Sequence, residues 1–259
     1  MTTRIDPDVL RGCLTTKTLG SSVFYREKTG STNQDAKELG RLGVPHGALA
    51  LCGRQTAGRG RRGRSWISGE GALCMSLLLR PAFALEFAPR YVIATALGVC
   101  RALRSFGANA LIKWPNDILA GGRKLCGILL EADPSGFVVA GIGVNVNQRD
   151  FPADIADTAD SLMTVTGVES DPNEVAARIL GECEPLFEAC GGEAGYAELL
   201  ESYKTLSLTL GSRVRVCAPN EEYFGTALSL DALGRLVVAR DGGAVTTVGA
   251  GDVSIRDDI

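Results

Sequence analysis

The chain has 259 residues and a formal net charge of −3, with 45% hydrophobic and 22% charged residues. This composition is typical of a globular protein with a substantial core. The acidic balance argues against a general nucleic-acid binder, which needs lysines and arginines clustered over a wide face. No apolar signal region stands at the start, and no run of about 18 apolar residues predicts a membrane span.

The cysteines and the single histidine limit the kinds of metal site and catalytic site that the chain can form. Eight cysteines are present, none in a Cys-x-x-Cys pair, and several, such as Cys74 and Cys100, lie inside apolar runs. They are predicted to be buried free thiols in a reducing compartment, which indicates a cytoplasmic protein. His46 is the only histidine, so the sequence predicts neither a zinc site of ordinary composition nor a serine–histidine catalytic pair.

The first half of the chain alternates strands and helices. Residues 1–22 are predicted to form a leader with one or two helical turns. A helix is predicted from Ser31 to about Leu42, opened by a capping box between Ser31 and Gln34 and ended by the glycine that follows. Apolar residues spaced three or four apart predict a second helix over 90–105. The strands predicted in this half lie at 23–26, 48–52 and 73–79.

The second half continues this alternation and then changes. Strands are predicted at 111–113, 124–131 and 137–146, followed by helices over 172–189 and 195–204. After Leu206 come five short strand candidates separated by turn residues, which is the pattern of a small β-barrel. These strands are predicted at 213–218, 223–230, 235–239, 244–248 and 253–255, with turns at 219–220, 231–234 and 241–243. The predicted division is therefore a leader at 1–22, a main domain at 23–206 and a terminal β domain at 207–259.

The most informative segment is the arginine loop, Gly58–Trp66, with the sequence Gly-Arg-Gly-Arg-Arg-Gly-Arg-Ser-Trp. Four of its first seven residues are arginines in a chain that is acidic overall, so the loop is a basic island. Guanidinium groups fit carboxylate and phosphate oxygens, and glycine lets the backbone approach a ligand closely. The loop is predicted to hold an anionic small molecule, although Arg/Gly runs also occur in disordered RNA-binding segments.

Four further segments carry polar groups in structurally informative places. Gly30–Asn33 opens a predicted helix, where free N–H groups face outward. Lys113–Asp117 (Lys-Trp-Pro-Asn-Asp) reads as a rigid polar turn. Lys124 enters a strongly apolar strand, where a lysine either reaches solvent or is held for a ligand anion. Gly141–Asn147 is a predicted strand segment that contains two glycines, which indicates close approach of a ligand or another backbone. Taken singly, each also has a plain structural explanation, such as a helix cap or a decorated turn.

Together these segments resemble the biotin protein ligase family closely, over about residues 20–255. The matching pieces, in the family's order, are Gly30–Asn33, Gln55–Arg64, Lys113–Asp117, Lys124–Leu129 and Gly141–Asn145. The resemblance implies an α+β fold for the biotin/ATP-binding catalytic domain at 23–206, with a mixed sheet flanked by helices as in class II aminoacyl-tRNA synthetases. It also implies a small C-terminal SH3-like β-barrel at 207–259.

The activity implied by the resemblance is ATP-dependent protein biotinylation. Biotin is activated as biotinyl-5′-AMP and transferred to a lysine of a biotin carboxyl carrier protein. ATP and Mg²⁺ are the implied co-substrate and activator; no metal site is assigned, with Asp117 the nearest candidate. Lys124 and Arg61 are the implied catalytic residues. The implied biotin-binding residues are Ser31, Thr32, Asn33, Gln55, Gly58, Arg59, Gly60, Arg61, Lys124, Gly127, Gly141 and Gly143. The implied adenylate-binding residues are Arg61, Arg64, Trp66, Asn116, Asp117, Lys124 and Asn145.

Two alternatives are weighed against this hypothesis. A lipoate protein ligase shares the fold and the adenylation chemistry, but the arginine loop and the Lys113–Asp117 turn favour biotin. A non-enzymatic nucleic-acid binder could use the arginine run, but the acidic remainder of the chain disfavours it. Only about 30 residues precede Ser31, so the winged helix-turn-helix of larger family members, and with it DNA binding, is expected to be absent. The oligomeric state is left open.

Overall fold

A mixed seven-stranded sheet forms the centre of the computed structural model, which describes residues 4–218, 221–249 and 252–255. The strands are β1 (Val23–Thr29), β2 (Leu49–Gln55), β3 (Ala72–Leu79), β4 (Ala110–Lys113), β5 (Asp117–Ala120), β6 (Arg123–Asp133) and β7 (Phe137–Asn145). Their order in the sheet is β1-β2-β3-β7-β6-β5-β4. The β1–β2 pair is parallel and the other neighbours are antiparallel.

The helices cover the two faces of this sheet unequally. They are α1 (Pro7–Cys13), α2 (Thr32–Arg41), α3 (Arg90–Ser105), α4 (Leu162–Thr166), α5 (Pro172–Ala189) and α6 (Glu193–Thr205). Strand side chains alternate between faces. Leu49 and Leu51 therefore join the large cluster that contains α3, α5 and α6. Ala48 and Ala50 pack on the other face with Ala36 of α2, and this single helix leaves part of that face open for a site.

The start of α2 differs from the expectation. Ser31 is the N-cap residue, but its side chain makes no capping hydrogen bond, so the predicted capping box with Gln34 is wrong. The N–H of Thr32 instead donates to Oε1 of Gln55, on β2, at 2.8 Å. A side chain from a neighbouring strand satisfies the helix terminus, and a local sequence motif cannot anticipate such a partner.

A separate five-stranded antiparallel sheet follows α6. Its strands are β8 (Arg213–Cys217), β9 (Glu222–Leu230), β10 (Leu236–Arg240), β11 (Val245–Val248) and β12 (Asp252–Ile255), in the order β11-β10-β9-β8-β12. The indole Nε1 of Trp114 donates to the carbonyl of Gly234 at 2.9 Å. Gly234 has φ +74°, and a Cβ there would lie 2.9 Å from both Ile93 and Tyr196. This buried contact fixes the small sheet against the large one.

Most predicted elements are present, but one strand and one short helix of the structure were not predicted. The strand β5 begins at Asp117, within a stretch predicted as a turn, and α4 has only five residues, too few for a periodic pattern. The predicted turn at 219–220 lies outside the described residues. None of the described helices is long and apolar enough to cross a membrane. The eight cysteines are free; six are buried, and Cys13 and Cys217 are partly exposed.

Candidate functional site

A cavity of about 560 Å³ opens on the sheet face next to the start of α2. This volume lies within the range typical of small-molecule sites. Its wall contains every residue that the sequence nominated except Gly58: Ser31, Thr32, Asn33, Gln55, Arg59, Gly60, Arg61, Arg64, Trp66, Asn116, Asp117, Lys124, Gly127, Gly141, Gly143 and Asn145. Segments far apart in the chain therefore converge on one site.

One end of the cavity is a network of uncharged polar groups. Oγ of Ser76, on β3, lies 2.7 Å from both Thr32 Oγ1 and Asn33 Oδ1. The hydroxyl of Thr32 also donates to Gln55 Oε1 at 3.2 Å. Ser76 is fully buried, and sequence reasoning missed it. The available signal was a single hydroxyl among the apolar residues of β3.

The register of the sheet explains the glycine opposite this network. Ser76 pairs with Gly141 across β3 and β7, and a Cβ on Gly141 would overlap the side-chain oxygen of Asn33. The close approach predicted for this glycine is therefore made by a protein side chain, which the missing Cβ admits to the pocket floor.

The carboxylate of Glu131 holds the side chain of Asn33 in place. Glu131, near the end of β6, accepts from Asn33 Nδ2 at 2.7 Å and from Lys37 Nζ at 2.6 Å. Arg59 of the arginine loop reaches the same carboxylate at 3.4 Å. Burial raises the pKa of Glu131, but these hydrogen bonds and positive charges outweigh it and leave the pKa below its ordinary value. The ionised carboxylate thus anchors both α2 and the loop.

The arginine loop folds back on itself at the cavity mouth. Arg59 and Ser65 form a bridge, and the N–H of Gly60 donates to the carbonyl of Arg64 at 2.7 Å. Arg61 donates from Nη1 to Oδ1 of Asn116 at 2.8 Å, which ties the loop to the Lys113–Asp117 turn. Gly58 lies outside the wall, and a Cβ on it would overlap the carbonyl of Trp66 at the base of the loop.

Lys124 occupies the other end of the cavity. Its Nζ lies 2.7 Å from Asp117 Oδ1 and 5.9 Å from the centroid of the Trp66 ring. A Cβ on Gly143 would overlap that indole, and one on Gly127 would lie 3.1 Å from Lys124 Nζ. Both glycines make room for protein side chains, as Gly141 does.

A loop after β7 closes the lysine end of the wall. The N–H of Lys124 donates to the Thr158 carbonyl at 2.8 Å, and its own carbonyl accepts from the N–H of Asp160 at 3.0 Å. Asn145 Nδ2 donates to the carbonyl of Asp160 at 2.9 Å, so Asn145 braces this loop as well as lining the cavity. Sequence reasoning did not nominate the lining residues Phe151, Asp154, Ile155, Thr158, Ala159, Val253 and Ser254, which carry no motif.

The two ends of the cavity suit different chemistry. Neutral hydroxyl and amide groups at the α2 end can hydrogen-bond an uncharged polar ring, while arginines and a lysine at the other end can hold an anion. No group of three or more His, Cys, Asp or Glu side chains within the described ranges could hold a metal ion. The wall also carries the carboxylates of Asp117 and Asp154, and carboxylate oxygens are ligands of the kind that Mg²⁺ accepts.

Comparison with known proteins agrees with this geometry. The profile of the "Biotin/lipoate A/B protein ligase family" matches residues 24–147, and that of the "Biotin protein ligase C terminal domain" matches residues 209–256. The chain is 34% identical to the biotin--[acetyl-CoA-carboxylase] ligase of Mycobacterium tuberculosis, over 96% of this chain and 97% of that protein. It is also 34% identical to the bifunctional ligase/repressor BirA of Bacillus subtilis, over 93% of this chain and 76% of that protein.

A solved structure extends the comparison to three dimensions. The biotin protein ligase from Aquifex aeolicus in complex with biotin and ATP is 29% identical and superposes with a TM-score of 0.79. The match covers 92% of this chain and all of that chain. Sequence identity, domain order and fold agree, and the chain therefore belongs to the biotin protein ligase family and is a biotin ligase.

Proposed function

We propose that this enzyme joins biotin and ATP into biotinyl-5′-AMP and then biotinylates a lysine of a biotin carboxyl carrier protein. In the first step a biotin carboxylate oxygen attacks the α-phosphorus of ATP, and pyrophosphate leaves. In the second step the deprotonated lysine ε-amine attacks the carbonyl of the mixed anhydride, and AMP leaves. The observation that carries the proposal is one cavity with a neutral polar end and a cationic end.

The polar end suits the ring system of biotin. The cyclic urea of biotin has both donors and acceptors, and the Thr32, Asn33 and Gln55 side chains offer the complementary groups. Glu131 and Ser76 already hold Asn33 in place, so little side-chain freedom is lost when the ligand binds. With the ring held there, the carboxylate of biotin extends toward Lys124.

The cationic end addresses the main obstacle of the first step, which is the approach of one anion to a polyanion. Lys124, Arg61 and Arg64 line the cavity, and Arg61 is hydrogen-bonded to Asn116, next to the Asp117 partner of Lys124. Their charges stabilise the oxygens of the α-phosphate as the new bond forms, and the fixed geometry brings the reactants together. Mg²⁺ bound to the ATP phosphates would neutralise further negative charge, with Asp117 and Asp154 as the nearby carboxylates.

The experiment that tests the proposal separates the acid, the intermediate and the acceptor. The protein is incubated with ATP, Mg²⁺ and either biotin or lipoate, and the acyl-adenylate is identified by mass. A purified carrier domain is then added, alongside the same domain with its acceptor lysine replaced by arginine. We expect biotinyl-5′-AMP and a labelled carrier with biotin only. Formation of lipoyl-adenylate instead, or biotinyl-adenylate without transfer to the carrier lysine, would contradict the corresponding half of the proposal.

A further inference from the structure

Arg62 has an unusual backbone conformation in the middle of the arginine loop. Its φ of 55° and ψ of 40° are left-handed, and within the described parts of the chain it is the only non-glycine residue with positive φ. Glycine adopts this conformation without steric conflict, whereas a residue with a Cβ does so at a cost. What the arginine adds at this position is its side chain.

The guanidinium of Arg62 crosses to the C-terminal sheet. Its Nη1 donates to the carbonyl of Cys217, the last residue of β8, at 3.1 Å. Cys217 pairs with Asp252, the first residue of β12, and the next two residues of β12, Val253 and Ser254, line the cavity. The small sheet therefore touches the loop at the place where it also completes the cavity wall.

Neighbouring arginines thus fasten the loop to two different sheets. Arg61 donates to Asn116, in the turn that leads into β5, while Arg62 donates to the end of β8. The left-handed backbone at Arg62 reverses the chain inside the 3₁₀ turn Arg61–Gly63, which lets successive side chains take separate directions. A conformational cost at one residue is offset by a contact between domains.

We propose that Arg62 is a positioning residue that clips the arginine loop to the C-terminal sheet, so that this sheet holds the loop closed over the bound adenylate. The identity of the adenylate rests on the function proposed above, whereas the clip itself does not. The loop and the end of β8 should therefore loosen together when the guanidinium is removed.

The test compares Arg62→Asn with wild type and with Arg178→Gln. Asparagine accepts the left-handed conformation but is too short to reach β8. Arg178 is an exposed arginine on α5 outside the cavity wall, so its replacement controls for the lost charge. Amide hydrogen exchange is measured on the ligand-free proteins, at the hydrogen-bonded amides of Gly60 and Trp66 and along the β8–β12 pair. Matching melting temperatures would show that each variant folds.

We expect Arg62→Asn to speed exchange about three- to tenfold both in the loop and at the end of β8, as the loss of one solvent-exposed hydrogen bond to a backbone carbonyl predicts. Arg178→Gln should leave both regions unchanged. Faster exchange in the loop alone would mean that Arg62 acts locally, and unchanged exchange would mean that no clip exists; either result overturns the proposal.

A second readout follows the adenylate itself. The dissociation rate of biotinyl-5′-AMP should rise by the same factor in Arg62→Asn and stay constant in Arg178→Gln. If wild-type protein forms no biotinyl-5′-AMP while the exchange results stand, the proposed function fails and the clip is retained. If the adenylate forms but leaves both proteins equally fast, the positioning role of Arg62 is overturned.

Discussion

Replacing Lys124 by alanine separates catalysis from folding. The backbone of Lys124 is held on both sides by Thr158 and Asp160, through hydrogen bonds of 2.8 and 3.0 Å that do not involve the side chain. The substitution removes the side chain beyond Cβ, with its ion pair of 2.7 Å to Asp117 and its ammonium 5.9 Å from the Trp66 ring centroid. The strand β6 and the cavity wall should therefore keep their shape.

The expected size of each effect shows that the substitution should change the adenylation rate far more than the stability. The side chains of Lys124 and Asp117 are 35% and 22% exposed, so the pair is partly solvated and is worth at most about 1 kcal/mol of stability. A preorganised donor directed at developing charge is worth far more in the transition state, and losing one costs about 10²–10³ in rate. We expect a small loss in melting temperature and a loss of adenylation rate by that larger factor.

The assay measures single-turnover formation of biotinyl-5′-AMP, with Asp117→Asn as the matched variant. That variant removes the carboxylate partner but retains the ammonium, so it tests whether the ion pair or the cation matters. The cation hypothesis predicts that Asp117→Asn retains more adenylation activity than Lys124→Ala. A folded Lys124→Ala protein with a near-normal single-turnover rate would refute the assignment.

Three further predictions concern the glycine-lined wall, the arginine loop and the single histidine. Gly143→Ala should displace the Trp66 indole, since the new Cβ would overlap it. Overpacking of this kind costs about 1–3 kcal/mol. We expect it to weaken the affinity for the adenylate about ten- to a hundredfold, which calorimetry can measure. Arg61→Gly loses the charge-assisted hydrogen bond to Asn116, worth about 1.5–3 kcal/mol, and should release reactive biotinyl-5′-AMP. The expected readout is that an unrelated lysine-rich protein carries more biotin with the variant than with wild type. Burial lowers the pKa of His46, whose Nδ1 accepts from the N–H of Arg80. Its stabilising contribution should be complete above the ordinary pKa of 6.5 and should fall as the pH drops below it, because the unfolded chain then binds a proton that the folded chain does not. Urea titrations of wild type and His46→Gln would differ in this pH dependence, and equal slopes would contradict it.

The elements of the fold were largely predictable because their signals are local. Apolar spacing identified α3, and turn residues separated the strands of the C-terminal sheet. The site motifs could be named for the same reason, since each is a short run of unusual composition. What joins them is the pairing of distant strands, and no local pattern specifies the register that places Ser76 opposite Gly141. Ser76 was therefore missed, although it contacts two of the residues that were named.

The glycines of the site show a second limit of sequence reasoning. Glycine within a strand predicted close approach of a ligand or another backbone at Gly141 and Gly143. It could not indicate what approaches, and the structure places the Asn33 side chain and the Trp66 ring there. The same limit applies to the start of α2, where a capping motif within the helix was predicted and the acceptor came from Gln55 on β2.

These contacts give the arginine loop a particular physical character. A run of like charges with three glycines has little tendency to order by itself, because the charges repel and glycine loses much entropy on folding. Here Arg59, Arg61 and Arg62 each donate to an acceptor on a different part of the molecule, namely Glu131, Asn116 and the Cys217 carbonyl. The loop conformation therefore depends on the register of the large sheet and on the docking of the small one. A substitution that disturbs either sheet can reach the cavity through this loop, even when it lies far from any ligand.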